Sequence, residues 1–186
     1  MSSPTDAESR PYVESAAAGV GAWVLGYLVT YLLVATEIES SPLNDLIEFF
    51  GGDSATYELV GWVFYNAHLV DVTYTGIDLF SPPPSFVGGE DGFTALLYVV
   101  PPALLLVGGL AVGRYRGVTG ANEGAVAGAL LAAGYVLPSA AGAFVFTVSV
   151  GGAAGSPDPL TAVVVAGLFY PLVFGALGGI AASVTD

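Results

Sequence analysis

The stretch AAAGVGAWVLGYLVTYLLVA, at residues 16–35, contains neither a charged side chain nor a proline. About 20 apolar residues in helical conformation are long enough to cross the ~30 Å hydrocarbon core of a bilayer. Three further runs without a charged residue follow, at residues 93–112, 125–150 and 160–182. We therefore predict four transmembrane helices, with bounds of about 13–36, 93–113, 124–150 and 160–183.

The composition of the whole chain agrees with this pattern. Of its 186 residues, 54% are hydrophobic and 10% are charged, whereas soluble domains carry about 25% charged residues. A water-soluble chain of this length has too little interior to bury so much apolar surface. We predict an all-α integral membrane protein that forms a single membrane domain over residues 1–186.

The charge balance is strongly acidic. Sixteen Asp and Glu residues stand against three basic residues, all arginines, and the net charge is −13. Nucleic acid is excluded as a partner, because no basic patch exists to neutralise phosphates. Such a charge is best tolerated in molar salt, where screening shortens repulsion to a range of about 3 Å. The sequence thus predicts a halophilic source, and the absence of cysteine excludes disulfides and thiolate metal sites.

The three arginines predict the orientation in the membrane. Arg10 precedes the first span, and Arg114 and Arg116 lie between the second and the third. Four spans place all three on one side, which the positive-inside rule makes cytoplasmic. We expect a multi-pass protein of the cell membrane with both termini in the cytoplasm and with residues 37–92 as an outer segment.

An alternative arrangement counts residues 56–72 as a fifth span. This segment is short for a span, and it would move Arg114 and Arg116 to the side opposite Arg10. It also contains Glu58, Asn66, His68 and Asp71, which are costly to place in a bilayer. We favour four spans, with the segment being interfacial, re-entrant or docked on the bundle.

The chain shows weak internal similarity. ESAAAG at residues 14–19 resembles EGAVAG at 123–128, and DGFTALL at 91–97 resembles DPLTAVV at 158–164. The pattern indicates either two duplicated helical hairpins with an outer insertion in the first, or a chance match between common residues.

Glycines spaced four residues apart recur within the predicted spans. This spacing lets two helix backbones approach closely, and we predict that it serves packing inside the bundle rather than a dimer face. The pairs are Gly109 and Gly113, Gly124 and Gly128, and Gly175 and Gly179.

The outer segment is predicted to contain two helices. Ser41 and Pro42 suit the start of the first helix, and Gly51 and Gly52 suit its end. Its apolar stripe consists of Leu43, Leu46, Ile47 and Phe50, and its outward face of Asn44, Asp45 and Glu48. The second helix is expected from a cap at Asp53 or Ser54 to about Val70. Residues 72–80 are expected to be extended, and residues 81–92 to form a loop.

The stretch FYNAHLVD, at residues 64–71, contains the only histidine of the chain, His68. Tyr65 and Asp71 each lie three residues from His68, which would place them on its helix face. Together with Asn66, these residues form the candidate functional or anchoring cluster. One histidine and one carboxylate fall short of a zinc ligand set, and no nucleophile elbow is present. We therefore assign no catalytic, cofactor-binding or metal-binding residue.

Two interpretations of His68 are open. In the first, it anchors the outer segment by a hydrogen bond to Asp71 or to a backbone carbonyl. A pair with Asp71 would favour the protonated imidazole and would strengthen as the pH falls. In the second, His68 has a proton-transfer, metal-binding or substrate-binding role.

GWVFYNAHLVD at residues 61–71, together with FYPLVFGALGG at residues 169–179, resembles an uncharacterised family of haloarchaeal membrane proteins. The resemblance covers most of the chain. It implies a membrane location and an archaeal source, and it brings no established activity.

Two functions are open. The favoured one is a non-enzymatic accessory or scaffold subunit without a cofactor, because the spans contain no charged residue near their centres. Its expected partners are the lipid bilayer and either another membrane protein or a second copy of the chain. The alternative is a small permease or channel component with an acidic outer vestibule.

Overall fold

The structure is a computed structural model that describes residues 4–76, 85–88 and 92–185, with side chains described from residue 12. The chain forms two compact units, and each is considered by itself. Unit 1 comprises Met1–Leu25, Pro101–Pro138 and Gly167–Asp186. Unit 2 comprises Gly26–Val100 and Ser139–Ala166.

Helices dominate the described residues. In chain order the α-helices are α1 (Pro4–Glu39), α2 (Pro42–Gly51), α3 (Thr56–Asn66), α4 (Val100–Arg116), α5 (Ala121–Ala129), α6 (Leu131–Val145), α7 (Pro159–Thr161) and α8 (Ala176–Ala182). A 3₁₀ turn, Ala95–Val99, precedes α4. Between α7 and α8 the backbone is π-helical, over Ala162–Phe169 and Pro171–Gly175.

Four stretches among the described residues are long and apolar enough to cross a membrane. They are Tyr12–Glu39, Ala95–Arg116, Ala121–Val145 and Pro159–Ala182. The prediction of four such helices is confirmed, and a set of this kind is that of a membrane protein.

A small antiparallel sheet departs from the predicted all-α fold. Its strands are β1 (Val72–Thr75), β2 (Val148–Val150) and β3 (Ala153–Pro157), in the order β1-β3-β2. The third span was expected to reach residue 150, but α6 ends at Val145 and the Val-Ser-Val sequence that follows pairs with β3. β-Branched valine suits a pleated strand.

The turn between β2 and β3 consists of Gly151 and Gly152. Their φ angles are 60° and 88°, and the flanking Val150 and Ala153 are directly paired. A two-residue hairpin turn with positive φ at both positions is the type that glycine makes easily. The GGAAGSPDP stretch, at residues 151–159, therefore contains a hairpin turn and the strand β3.

Backbone contacts between glycines form the core of unit 1. A Cβ atom added to Gly128 or Gly109 would overlap the carbonyl oxygen of Gly175, and one added to Gly124 would overlap that of Gly179. A Cβ atom at Gly113 would lie 2.5 Å from the Cβ of Ala182. The glycine pairs thus pack inside the bundle, as predicted, and leave no room for any side chain.

Helix α1 joins this core by the same kind of contact. A Cβ atom at Gly19 would overlap the carbonyl oxygen of Leu131, and one at Gly134 would overlap that of Ala16. Nearby, the Ser15 hydroxyl donates a hydrogen bond of 3.2 Å to the Ala127 carbonyl oxygen. The neighbouring Gly21 differs, because a Cβ atom there would meet no atom within 4 Å.

Helix α3 is the core of unit 2. Every residue from Leu59 to Asn66 is buried. The Trp62 indole N–H donates to the Phe146 carbonyl oxygen at 2.7 Å, and the ring of Tyr27 stacks on that of Phe146 with centroids 5.2 Å apart. Residues 56–66 are therefore a helix packed inside unit 2.

Helix α2 begins and ends as predicted. The Ser41 hydroxyl accepts a hydrogen bond from the Asn44 N–H, and Gly52 ends the helix in the left-handed conformation. Asn44 itself does not face outward as expected, because it is buried and its amide oxygen accepts hydrogen bonds from Ser54 Oγ and Ala55 N. With Ser54 held in this way, α3 starts after Ala55 without a side-chain cap.

The glycine contacts predict opposite effects for two substitutions in α1. Gly19→Ala should lower the free energy of unfolding by roughly 2–3 kcal/mol, because a backbone carbonyl cannot move aside for the new methyl group. Gly21→Ala should be neutral or stabilising by up to about 1 kcal/mol, because alanine favours the helix and the space is open. Denaturant titration of both variants in detergent micelles measures the difference, and equal stabilities would contradict the packing described.

Candidate functional site

The four residues of the predicted cluster follow one another at the end of α3, and each makes a different contact. The Tyr65 hydroxyl donates a hydrogen bond of 2.5 Å to the Ser139 carbonyl oxygen. Burial raises the pKa of this hydroxyl, so it stays protonated at every physiological pH. Ser139 is the first residue of the second chain segment of unit 2, Ser139–Ala166, so this hydrogen bond joins α3 to that segment.

Asn66 organises the loop that contains Phe86. Its amide oxygen accepts hydrogen bonds from Ser85 Oγ at 2.9 Å, from Phe86 N at 2.8 Å and from Val87 N at 3.3 Å. Its amide nitrogen donates to the Val70 carbonyl oxygen at 3.2 Å. One buried side chain thus fixes a distant loop and the turn that follows its own helix.

His68 is completely buried. Its Nδ1 atom lies 2.8 Å from the Phe64 carbonyl oxygen, and its ring packs edge-on against the Phe64 ring with centroids 4.6 Å apart. Because a carbonyl oxygen only accepts, Nδ1 carries the proton of the neutral ring. Burial lowers the pKa of His68 to about 4, and the Phe64 hydrogen bond only partly opposes this shift.

Asp71 does not share a helix face with His68. Helix α3 ends at Asn66, and Leu69 adopts the left-handed conformation with φ of 61°, which turns the chain into β1. Asp71 is exposed just before β1, and its carbonyl oxygen accepts a hydrogen bond from Asp158 N at 2.9 Å. The prediction that Asp71 lies on the same helix face as His68 was wrong, because α3 ends four residues before its predicted end at Val70.

The lowered pKa of His68 reverses the pH dependence expected from an ion pair. Between pH 6.5 and pH 4 the unfolded chain binds a proton at His68 that the folded chain excludes. Stability from the neutral ring is therefore complete above about pH 6.5 and is lost as the pH falls toward 4, by on the order of 3 kcal/mol.

Thermal or denaturant unfolding of the wild type and of His68→Gln, from about pH 7.5 to pH 4 in high salt, measures this effect. The glutamine variant keeps an amide donor and cannot titrate, and the acidic residues contribute equally to both proteins. The stability advantage of the wild type should shrink on acidification. An advantage that grows instead would favour a charged pair.

Unit 2 also contains an apolar cavity of about 540 Å³. One wall is the predicted stripe of α2, formed by Leu43, Leu46, Ile47 and Phe50. Facing it are strands β2 and β3, with Val148, Val150 and the backbone around Ala154. The volume lies in the range of about 300–1,000 Å³ that is usual for ligand pockets.

Three aromatic side chains complete the walls, Trp62, Tyr74 and Phe86. The Trp62 ring lies 5.8 Å from each of the other two rings, centroid to centroid. Trp62 also fills the space that a side chain at Gly155 would need, so the strand and the indole are in direct contact. The walls are therefore fixed by packing.

The cavity is electrically neutral. No Asp, Glu, Arg or His is among the described residues that line it. The Trp62 N–H, which does not titrate, donates to the Phe146 carbonyl oxygen, and burial raises the pKa of Tyr74 to about 12, so both groups are neutral. Such a site suits an apolar ligand and offers no group for acid–base chemistry.

One wall of this cavity could be predicted from the sequence, and the other walls could not. The α2 stripe is visible from its helical spacing, whereas Tyr74, Phe86 and Val148 come from three separate parts of the chain. As for a metal, no three His, Asp or Glu side chains come together within residues 12–76, 85–88 and 92–185. The absence of a cofactor stays a prediction.

Comparison with known proteins places the whole sequence in one group. Residues 1–186 match the family described as a family of unknown function, DUF7978. The chain belongs to this family. Neither a curated protein nor a solved structure matches the DUF7978 chain. The resemblance to an uncharacterised family is thereby confirmed, while the haloarchaeal source stays a prediction.

Proposed function

We propose that this protein is a non-enzymatic accessory or scaffold protein of the membrane. The observation that carries the proposal is how the candidate cluster uses its polar atoms. Tyr65, Asn66 and His68 are buried and hydrogen-bonded to the backbone groups of Ser139, Phe86 and Phe64. A histidine that is sealed inside the protein, kept neutral and bonded to a residue of its own segment supports the local fold and is poorly placed to meet a substrate.

The accessible surface of α2 in unit 2 is largely apolar and acidic. On α2, Phe49 is 82% exposed, and Asp45 and Glu48 are exposed beside it. Exposed aromatic side chains next to a membrane-spanning helix suit contact with lipid or with another membrane protein. The proposed partners are therefore the bilayer and either a membrane protein or a second copy of the chain, and the charge argues against nucleic acid.

We propose further that both termini face the cytoplasm of a halophilic, archaeal cell. The support is the placement of Arg10, Arg114 and Arg116 together with the acidic composition. Single cysteines test the orientation well, because the chain has none. In intact cells an impermeant thiol reagent should label Ser149→Cys and should spare Thr119→Cys until the cells are opened; both positions are exposed. Labelling of Thr119→Cys from outside would reverse the orientation.

Affinity capture and transport assays together test the accessory role. Tagged protein solubilised from native membranes at high salt should retain a membrane protein or a second copy in fixed stoichiometry. Proteoliposomes of the purified chain should conduct ions and small solutes no faster than empty vesicles.

Two variants test whether partner capture depends on the fold of unit 2. Asn66→Leu removes the acceptor for the Ser85, Phe86 and Val87 groups and should lose the partner, since unpaired buried groups cost about 1–3 kcal/mol each. Gly21→Ala changes open space only and should retain it. Solute flux without any captured partner would contradict the accessory role.

Such flux would favour the second proposal, a small permease or channel component with an acidic outer vestibule. Its specific support is the fourth span, which is π-helical over Ala162–Phe169 and Pro171–Gly175. π-Helical turns occur frequently at functional sites. A duplicated pair of hairpins, as the ESAAAG and EGAVAG stretches indicate, would agree with a transporter origin.

A further inference from the structure

We propose that the apolar cavity of unit 2 binds one hydrocarbon chain of a membrane lipid whose head group carries no net negative charge. This inference goes beyond the accessory role, because it concerns a ligand of the purified chain and needs no partner protein.

The shape and chemistry of the cavity favour a chain-like apolar ligand. Its volume of about 540 Å³ is enclosed by aliphatic side chains on one face, a β-hairpin on another and aromatic rings between them. Trp62 is 3% exposed and forms part of the buried end, whereas Leu46 and Phe50 are 56% and 65% exposed and stand at the mouth. A ligand that enters between Leu46 and Phe50 removes their apolar surface from water, at roughly 25 cal/mol per Å².

The position of the mouth favours a lipid of the surrounding bilayer. Helix α2 starts at Pro42, immediately after the membrane-spanning stretch Tyr12–Glu39 ends. Within unit 2, Leu32 and Leu33 near the end of that stretch are exposed, as side chains that face lipid would be. The mouth of the cavity therefore lies on the helix that directly follows a membrane-spanning stretch, where bilayer lipid is the apolar ligand at hand.

The acidic residues near the mouth restrict the net charge of the lipid head group that can bind there. Asp45 and Glu48 are exposed on the same helix as the mouth, and residues 37–92 contain no basic residue. At low ionic strength an anionic head group near this helix would be repelled by its exposed carboxylates, whereas a zwitterionic or uncharged head group would not. The wholly apolar lining also rejects a free carboxylate or phosphate inside the cavity, because a buried charge needs a partner.

Photolabelling in vesicles tests the proposal. The purified protein is reconstituted into phosphatidylcholine vesicles that contain a phosphatidylcholine with a diazirine at the end of one acyl chain. After illumination the unfolded protein is cleaved with chymotrypsin, which cuts after aromatic residues and leucine and can release residues 147–160, the hairpin, apart from both neighbouring spans. Mass spectrometry should find the label enriched on the β2–β3 hairpin and on the peptide that contains Trp62. Label confined to the exposed surfaces of the spanning helices would overturn the proposal.

Matched variants separate the cavity from the general membrane surface. Leu46→Glu, which adds a charge at the mouth, should reduce cavity labelling roughly tenfold or more. Val148→Phe, which fills the cavity without adding charge, should reduce it as well. Leu160→Glu changes a side chain of unit 2 that is 71% exposed and does not line the cavity, and it should leave cavity labelling unchanged. Thermal melts establish that each variant is folded, and equal labelling in all folded variants would overturn the site.

Two further experiments test which molecule occupies the cavity. A phosphatidylglycerol probe with the same chain should label the cavity less than the phosphatidylcholine probe at the lowest salt that keeps the protein folded. Equal labelling would overturn the head-group preference. In native membranes, a benzoylphenylalanine placed at Leu46 should give an adduct of lipid mass, and a protein adduct would show that a partner segment fills the cavity instead. The vesicles contain no partner protein, so their labelling does not depend on one. If labelling fails while affinity capture still recovers a partner, the lipid site is overturned and the accessory role is not.

Discussion

Close contact between helix backbones is the constraint on which unit 1 depends. Between helices in a bilayer there is no hydrophobic driving force, because lipid tails are as apolar as leucine side chains. Association must come from van der Waals contact, and that requires the helices to touch along their backbones. Gly124 and Gly128 of α5 meet Gly179 and Gly175 of the fourth span, and Gly109 of α4 meets Gly175 from another direction. A single residue, Gly175, therefore sets two helix–helix distances.

Unit 2 uses a different means of association. Its central helix, α3, is too short to span a membrane and is surrounded by protein, so its polar groups must find partners inside. Trp62 and Tyr65 donate hydrogen bonds to backbone carbonyl oxygens of the segment 139–166, and the Asn66 amide oxygen accepts hydrogen bonds from the loop at residues 85–88. Aromatic packing fills the remaining space, as in the stack of Tyr27 on Phe146. The neutral state of His68 follows from the same enclosure, because water cannot reach the ring to stabilise its charge.

The features that the sequence predicted are those with a local signal. Twenty apolar residues in a row, a serine before a proline, and glycines four residues apart each dictate structure within a few turns of helix. The sequence predicted an extended stretch at residues 72–80, and β1 lies in its described part. The pairing of the sheet had no such signal, because β1 pairs with β3 across more than eighty residues of chain, as Val72 opposite Pro157 shows. Asp71 was misplaced for a similar reason. Its spacing from His68 suited a helix, but the hydrogen bonds of Val70 N to Tyr65 O and of Leu69 N to Asn66 O close the helix first.

The buried cluster and the apolar cavity are parts of one arrangement. Asn66 accepts the hydrogen bond of Phe86 N, and the Phe86 ring forms a cavity wall against Trp62. Trp62 lies on the same helix as Asn66, one turn earlier, so both contacts are set by the position of α3. Tyr65 and Asn66, two of the polar residues that stand out in FYNAHLVD, hold α3 and the 85–88 loop in place. The aromatic walls that this leaves between α2 and the hairpin line the apolar cavity.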